Sequence, residues 1–221
     1  MDRYAFLDIE TTGENVVKNK LIAFAVAIIN SETGEIEDSL EVFVKPPAGE
    51  DYVWEQRCLD EFWHRNDEMR ATKDALLAKV ASEGVSPQEA MATLVRWINE
   101  NRTPEFLKSL ILMSDTAGYD VGWINYLLGL YGFKSLNYIV GDSYKPIFDS
   151  TSFNRGVGRK LPSDGYWGAE SAAFAALKAS EEVTNDNPYK ADHFPLNDAK
   201  SLCYETFKIH RLIKQRRDGG N

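Results

Sequence analysis

The sequence predicts an α/β fold in which a mixed β-sheet is flanked by α-helices on both faces, in three layers. Three observations support this fold class. Two apolar strand patterns lie near the N-terminus, helical spacing takes over after residue 60, and a later strand pattern leads directly into a helical one. With 221 residues, of which 43% are hydrophobic, the chain can bury a sizeable core. We expect one domain over 1–221, with its core at about 4–212 and a basic, flexible tail at 213–221.

Three strand patterns open the chain, at residues 4–9, 21–30 and 41–44. The second is a continuous run rich in Ile, Val and Ala, which is typical of a buried strand. The turn residues of the segment SETGE indicate a hairpin, so the sheet should begin as an antiparallel meander before it becomes mixed. Pro46 and Pro47 should end the third strand.

Helical patterns follow the strands. Apolar residues recur at helical spacing over 60–81 and over 87–101, and the segment Ser-Pro-Gln-Glu opens the second pattern with a cap. Residues 137–162 are rich in Gly, Ser, Asp and Pro and predict irregular structure close to a site. A helix is expected over 169–182, and a last one begins at Pro195, because proline suits a first helical turn.

A strand that leads directly into a helix is predicted in the middle of the chain. Residues 110–113 form a short apolar run, and helical spacing begins after a brief loop, over 120–131. We expect Trp123, Leu127 and Leu130 to face inward. Gly132 should end the helix.

Composition limits the classes of function. No run of about 18 uncharged apolar residues could span a membrane, and the N-terminus lacks a targeting pattern, so a cytoplasmic location is expected, in the host if the protein is viral. Cys58 and Cys203 are the only cysteines, and we expect both to be reduced, with a disulfide between them not favoured. The net charge of −9 argues against electrostatic coating of a long phosphate backbone. It leaves room for an enzyme that grips a few terminal nucleotides through metal ions.

Two carboxylates end the first strand. Asp8 and Glu10 are two residues apart and therefore point to one face, whereas Leu7 and Ile9 point to the other. Unpaired carboxylates side by side repel each other and are costly to bury, and a divalent cation offsets both effects. A solvated acidic strand end is the alternative interpretation of this pair taken alone.

Three further polar residues complete the hypothesis of a divalent-cation site. Asp120 and Asp198 each lie in the first turn of a predicted helix, where the helix dipole favours a carboxylate, and His193 lies five residues before Asp198. Helix capping or a surface position explains each residue alone. Asp115 is a rival to Asp120, but it lies in a loop without helical register. The hypothesis therefore depends on the combination.

In order and spacing, these motifs resemble the DEDD 3′→5′ exonucleases of the ribonuclease H-like fold, in the DEDDh branch whose third motif is His-x-x-x-x-Asp. The segment DIETTG at 8–13 matches the first motif, Asp120 after its strand the second, and His193 with Asp198 the third. The resemblance extends from about residue 4 to about residue 212 and is loose in the middle.

Within that family, the chain looks closest to the DexA-like phage exonucleases and their ribonuclease T-like relatives. An aromatic pair such as Phe62-Trp63 leads a helix after the third strand in that branch, and residues 147–151 resemble its segment before the third motif. Trp63 as an ordinary core residue is the alternative interpretation. The second motif departs from the pattern, since most relatives have Phe where Tyr119 stands.

The resemblance implies a mechanism. Asp8, Glu10, Asp120 and Asp198 would hold two Mg²⁺ or Mn²⁺ ions, which oxygen ligands suit. His193 would take the proton from the attacking water, because the ordinary pKa of imidazole, about 6.5, suits a general base near neutral pH. The implied activity releases nucleoside 5′-monophosphates from the 3′ end of single-stranded DNA or RNA.

The resemblance and the residue types also indicate substrate contacts. Thr11, Thr12 and Gly13 are expected beside the terminal sugar, and Phe62 and Trp63 are expected to stack on the last bases. Basic side chains are candidate phosphate contacts: Arg155, Arg159, Lys160, Lys208, His210, Arg211, Lys214, Arg216 and Arg217. For those at the C-terminus, a solvated helix end favoured by its own dipole is the alternative.

Two other functions fit the same motifs. One is an interaction module that keeps the fold without catalysis, since fold alone does not establish activity. The other is a proofreading subunit that acts only with a polymerase. A homodimer is also compatible with the sequence, and the choice between DNA and RNA stays open.

Overall fold

In the computed structural model, the residues described are 2–100, 102–139, 147–149, 183, 186–189 and 191–218. The sheet has five strands in the order β3-β2-β1-β4-β5. They are β1 Arg3–Thr11, β2 Leu21–Asn30, β3 Ile36–Phe43, β4 Leu110–Ser114 and β5 Ile147–Asp149. The first three pair antiparallel, whereas β4 pairs parallel with both β1 and β5. The predicted meander and mixed sheet are therefore confirmed.

Helices lie on both faces of this sheet. They are α1 Gln56–Cys58, a π-helix Leu59–Trp63, α2 Asp67–Glu83, α3 Pro87–Asn99, α4 Pro104–Ser109, α5 Ala117–Leu130, α6 Leu136–Ile139 and α7 Pro195–Asp218. Apolar residues of α7 pack on one face of the sheet, and those of α3 and α5 pack on the other. The three-layer arrangement predicted from the sequence is confirmed.

The alternation of side chains along β1 positions the acidic pair. Ala5 and Leu7 face the α3 and α5 layer, and Tyr4 and Phe6 face α7. Side chains two residues apart share a face of a strand. The side chains of Asp8 and Glu10 therefore lie on the same face of the sheet as α7, at the C-terminal end of β1.

Several boundaries differ from the prediction, and two of the differences have a clear physical reason. The helix expected over 60–81 is interrupted at 64–66, because the side chain of Asn66 accepts the N–H of Met69 and starts α2 as an N-cap. Strand β3 begins at Ile36 rather than at residue 41. It is an edge strand with polar side chains facing outward, so its first half lacks the apolar signal used to predict strands.

Short elements were missed. Thr103 accepts the N–H of Phe106 and caps α4, with Pro104 at the first helical position. Helix α6 and strand β5 lie where irregular structure was predicted. The rest of 140–162, the predicted helix over 169–182, and Arg155, Arg159 and Lys160 lie outside the described residues.

The C-terminal helix and the cysteines bear on two further expectations. Helix α7 continues to Asp218, into the segment expected to be a flexible tail. Cys58 and Cys203 are both free, as predicted, and Cys203 is buried. Among the described residues, no helix combines the length and apolar character needed to cross a membrane.

Helix α5 buries Trp123 and Leu127 as predicted, but Leu130 is 59% exposed. Leu128 takes the inward position instead and is fully buried. Two helical residues add up to a rotation of about 200°, which turns Leu130 away from the face that carries Leu128. Gly132 follows the helix with φ at 79°, as expected for a C-terminal glycine.

We predict that Leu128→Ala lowers the free energy of unfolding by about 2–5 kcal/mol, because it leaves a cavity in the core. Leu130→Ala, two residues away on the same helix, should lower it by about 0.5 kcal/mol or less. Urea denaturation measures both. Equal losses in the two variants would contradict this description of the helix.

Candidate active site

A cavity of about 650 Å³ opens at the C-terminal end of β1. All five side chains predicted to carry the chemistry line it: Asp8, Glu10, Asp120, His193 and Asp198. They come from β1, α5, the loop before α7, and α7 itself. The structure therefore brings together groups that lie far apart in the sequence.

The two carboxylates of β1 are held in an environment that opposes their charge. Glu10 is 7% exposed, and Oδ2 of Asp8 is buried without a hydrogen-bond partner among the described residues. Burial raises the pKa of both groups well above its usual range, and the charges of Asp198 and Asp120 raise it further. Ionising this pair requires positive charge close by.

Asp120 reaches the cavity from the first turn of α5. The hydroxyl of Ser114, at the end of β4, donates to its Oδ2. Burial raises the pKa of Asp120 to about 6, although the Ser114 hydrogen bond acts in the opposite direction. Asp115 is exposed, and its charge raises the pKa of Asp120 further. The helical register therefore places Asp120 inside the cavity and leaves its rival at the surface.

The loop before α7 folds onto Asp198. Oδ1 of Asp198 accepts the backbone N–H of Asp192 at 2.9 Å and that of His193 at 3.1 Å. Burial raises the pKa of Asp198, and these two N–H groups lower it in part. The fold thus stabilises the ionised carboxylate of Asp198 with more hydrogen bonds than it gives to Asp8.

His193 has a strained backbone, and its ring lies close to two carboxylates. Its φ of 62° is the one positive value among the described non-glycine residues, a conformation that costs about 1–2 kcal/mol. Its Nδ1 lies 3.9 Å from Oε1 of Glu10 and 3.8 Å from Oδ2 of Asp198. The strain therefore occurs at the residue that faces two of the carboxylates.

Both members of the aromatic pair, Phe62 and Trp63, border the cavity, but they differ in exposure. Phe62 is half-buried, lines the cavity, and meets the His193 ring edge to face at 4.9 Å between centroids. Trp63 is fully buried and packs with Met69 and Leu76. Because its ring faces are covered, Trp63 does not offer a stacking surface, and the alternative interpretation of it as a core residue describes its position.

The segment after the first motif is held by its own hydrogen bonds. The hydroxyl of Thr12 donates to the carbonyl of Val53 at 2.6 Å, and Thr12 is not among the residues that line the cavity, so its contact with the terminal sugar stays a prediction. Thr11 and Gly13 do line it. A Cβ on Gly13 would lie 2.6 Å from that of Glu55, so only glycine allows this close approach.

Two residues at the site, Tyr119 and Ser114, have contacts there that were not predicted from the sequence. The hydroxyl of Tyr119 lies 2.6 Å from that of Thr11 and donates to the carbonyl of Gly13 at 3.1 Å. The sequence did carry a signal for Tyr119, because a tyrosine stands there where most members of the family it resembles have phenylalanine. Ser114 was missed because a serine at a strand end carries no signal of its own.

The C-terminal basic residues whose side chains the structure describes do not line the cavity. Lys208 pairs with Asp186 at 3.0 Å, and His210 bonds the hydroxyl of Tyr4 at 2.9 Å, with its pKa lowered to about 4 by burial. Neither Arg211 nor Lys214 lines the cavity. The side chains of Arg216 and Arg217 lie outside the described residues. The alternative interpretation, a helix end rather than a phosphate site, describes the residues that can be placed.

The donor set fits a divalent cation. Glu10, His193 and Asp198 each offer a ligand atom, and these atoms lie within 4.8 Å of one another. Asp8 lies outside this group but lines the same cavity, and its Oδ2 has no hydrogen-bond partner among the described residues. Sites rich in carboxylate oxygens suit hard cations such as Mg²⁺ and Mn²⁺.

Comparison with known proteins gives matches in structure but not in sequence. No protein-family model matches the chain, and neither does any curated protein. The nuclease domain of 3′hExo, a DEDDh family member bound to rAMP, is 16% identical over 99% of this chain and 93% of its own, with a TM-score of 0.58. A full-length 3′-exonuclease matches at 16% identity over 99% of this chain and 83% of its own, with the same TM-score of 0.58.

Escherichia coli exonuclease I, in a zinc-bound complex with single-stranded DNA, matches at 15% identity with a TM-score of 0.59. The match covers 98% of this chain and 41% of exonuclease I, so the chain spans less than half of that protein. The chain has the ribonuclease H-like fold. The predicted fold is confirmed. A closer placement with the DexA-like and ribonuclease T-like enzymes stays a prediction.

We predict that Asp8→Asn stabilises the metal-free protein at neutral pH. The pKa of Asp8 in the folded state lies well above its usual 3.8, so its ionisation costs stability as the pH rises through the folded value, and the cost is absent below the unfolded value. At about pH 8 the variant should melt a few degrees higher than the wild type, since about 1 kcal/mol corresponds to about 2–4 °C here. Near pH 4 the difference should vanish. Calorimetry at both pH values tests this.

Saturating Mn²⁺ should reverse the order of melting temperatures, because only the wild type keeps the full ligand set. Asp51→Asn, at an exposed position outside the cavity, serves as the matched control and should behave as the wild type. An Asp8→Asn protein that is less stable at every pH would show that the fold itself satisfies this carboxylate.

Proposed function

We propose that this protein is a divalent-metal-dependent 3′→5′ exonuclease that hydrolyses the terminal phosphodiester of a single nucleic-acid strand. One observation carries the proposal. Four carboxylates and one imidazole, supplied by separate elements, line a single open cavity. The similarity in fold to a nuclease bound to rAMP and to exonuclease I bound to single-stranded DNA supports the substrate class.

The carboxylates Asp8, Glu10, Asp120 and Asp198 would hold the metal ions. Bound divalent ions in such sites activate water and stabilise the charge that develops on a phosphoryl group. The contribution of the protein is to aim these ligands at one place, and the charge of the bound ions would favour their ionised forms. Because burial raises the pKa of these groups, protons would compete with metal for them, and metal affinity is expected to rise with pH.

His193 would act as the general base. It would take a proton at an imidazole nitrogen while the water oxygen bonds to phosphorus and the bond to the leaving 3′ oxygen breaks. The carboxylates of Glu10 and Asp198, at 3.9 and 3.8 Å from Nδ1, would stabilise the imidazolium that forms. The edge-to-face contact with Phe62 limits the orientations of the ring.

The terminal nucleotide would lie between the motif segment and Phe62. The exposed part of Phe62 offers a surface for stacking, which tolerates any base. Thr11 and Gly13 border the same cavity and are held rigidly by Tyr119. Nothing in the described residues or the comparisons supports a homodimer or a polymerase partner.

We predict that the purified protein with Mg²⁺ shortens a 5′-labelled single strand one nucleotide at a time, and that His193→Ala slows this by about 10²–10⁴-fold. Because a general base is not a metal ligand, the variant should keep the rise in melting temperature with Mn²⁺. Gel assays on matched DNA and RNA strands, with calorimetry, measure both effects. His64→Ala is the matched control, since His64 lies outside the cavity and bonds Lys73.

Two outcomes would contradict this assignment. Full activity in His193→Ala would remove the residue from the chemistry. Loss of the Mn²⁺ effect in that variant would make His193 a metal ligand instead, as its nearness to Glu10 and Asp198 also allows.

A further inference from the structure

The walls of the cavity carry far more negative than positive charge. Besides the four metal-binding candidates, Glu14, Glu55 and Glu61 line it. Apart from His193, Arg57 is the one basic residue among the lining residues that the structure describes. A nucleic-acid strand is a polyanion, so its entry requires positive charge at each phosphate that enters the cavity.

Arg57 is held only loosely. Its Nη2 forms an ion pair with Oε1 of Glu14, and its Nε lies 3.7 Å from Oε1 of Glu55. The side chains of Arg57 and Glu14 are 53% and 67% exposed. Exposed ion pairs of this kind contribute little stability. Within the described parts of the chain, Nη1 of Arg57 has no hydrogen-bond partner in the structure.

The backbone beneath Arg57 is tied to the first motif. The N–H of Glu55 donates to the carbonyl of Thr12 at 2.8 Å, and the N–H of Glu14 donates to Oε2 of Glu55 at 2.8 Å. The close approach of Gly13 to Glu55 keeps the two segments in contact. The backbone next to Arg57 is therefore held against residues 12–14, while the exposed side chain of Arg57 can change partner.

We propose that Arg57 binds an internucleotide phosphate next to the one being cleaved, and that Glu14 occupies the guanidinium until the strand displaces it. The inference rests on the proposed function. A guanidinium binds phosphate oxygens through two parallel N–H donors, whereas Arg57 contacts Glu14 through one nitrogen and lies 3.7 Å from Glu55 through another. The carboxylate cluster thus acts at the phosphate being cleaved, and Arg57 binds the next phosphate along the strand.

Arg57→Ala tests the inference. With a strand of about ten nucleotides, its kcat/KM should fall about tenfold, mainly through KM, since one charge-assisted contact is lost. In a His193→Ala background with Mg²⁺, fluorescence anisotropy should show that the slope of log affinity against log salt is smaller by about 0.7, the value for one phosphate contact to a single strand. Glu14→Gln should lower KM, because it removes the competitor.

The matched control is Arg96→Ala. Arg96 is 52% exposed and pairs with Glu89 at 3.3 Å on α3, outside the cavity. Its loss should change neither KM nor the salt slope. Arg57→Lys keeps the charge without the paired donors and should recover only part of the affinity.

The outcomes separate this inference from the proposed function. A wild-type protein that digests no strand would overturn both. If the wild type is active and Arg57→Ala matches Arg96→Ala, the inference about Arg57 fails and the function stands. If Arg57→Ala loses the rise in melting temperature with Mn²⁺, its effect passes through the metal ligands, and the phosphate role is overturned.

Discussion

Four carboxylates cannot all stay ionised in one cavity unless positive charge lies beside them, and the architecture around the cavity is arranged about this constraint. The hydrogen-bond donors that the fold supplies stabilise only part of this negative charge. Ser114 donates to Asp120, and two backbone N–H groups donate to Asp198. The buried oxygen of Asp8 receives nothing from the described residues. Keeping such a cluster costs stability, as expected of a site retained for the proposed function.

Three unusual backbone features converge on the same cavity. The ladder of β1 and β2 changes register between Glu10 and Thr11. The turn that carries Phe62 is a π-helix, and His193 has a left-handed conformation. Bulges, π-turns and left-handed residues each cost stability and are concentrated at functional sites. Their effect here is to set the direction of side chains, and the contact between Phe62 and His193 joins two of them.

Much of the fold could be predicted because its signals are local. The apolar run of β2 and the capped start of α3 are read directly from the residues. The edge strand β3 was too polar along its first half to show the same pattern. A π-helical turn cannot be told from an α-helical one by periodicity, so the interruption before α2 was not foreseen.

The site was predictable in its charged groups but less so in its neighbours. The acidic motifs are recognisable by order and spacing, whereas the orientation of adjacent residues depends on tertiary packing. Phe62 keeps exposed surface at the cavity, whereas its neighbour Trp63 borders the cavity with its ring fully covered. Thr12 turns away to bond Val53. Arg57 belongs to no motif, and only the folded arrangement places it beside the carboxylates.

The central claim is that this carboxylate cluster binds a pair of divalent cations, and crystallography with Mn²⁺ tests it most directly. Anomalous scattering from crystals grown in saturating Mn²⁺ should show two peaks, each contacted by carboxylate oxygens from the set Asp8, Glu10, Asp120 and Asp198. An empty cavity at saturating Mn²⁺, or peaks bound only at other surfaces, would contradict the account.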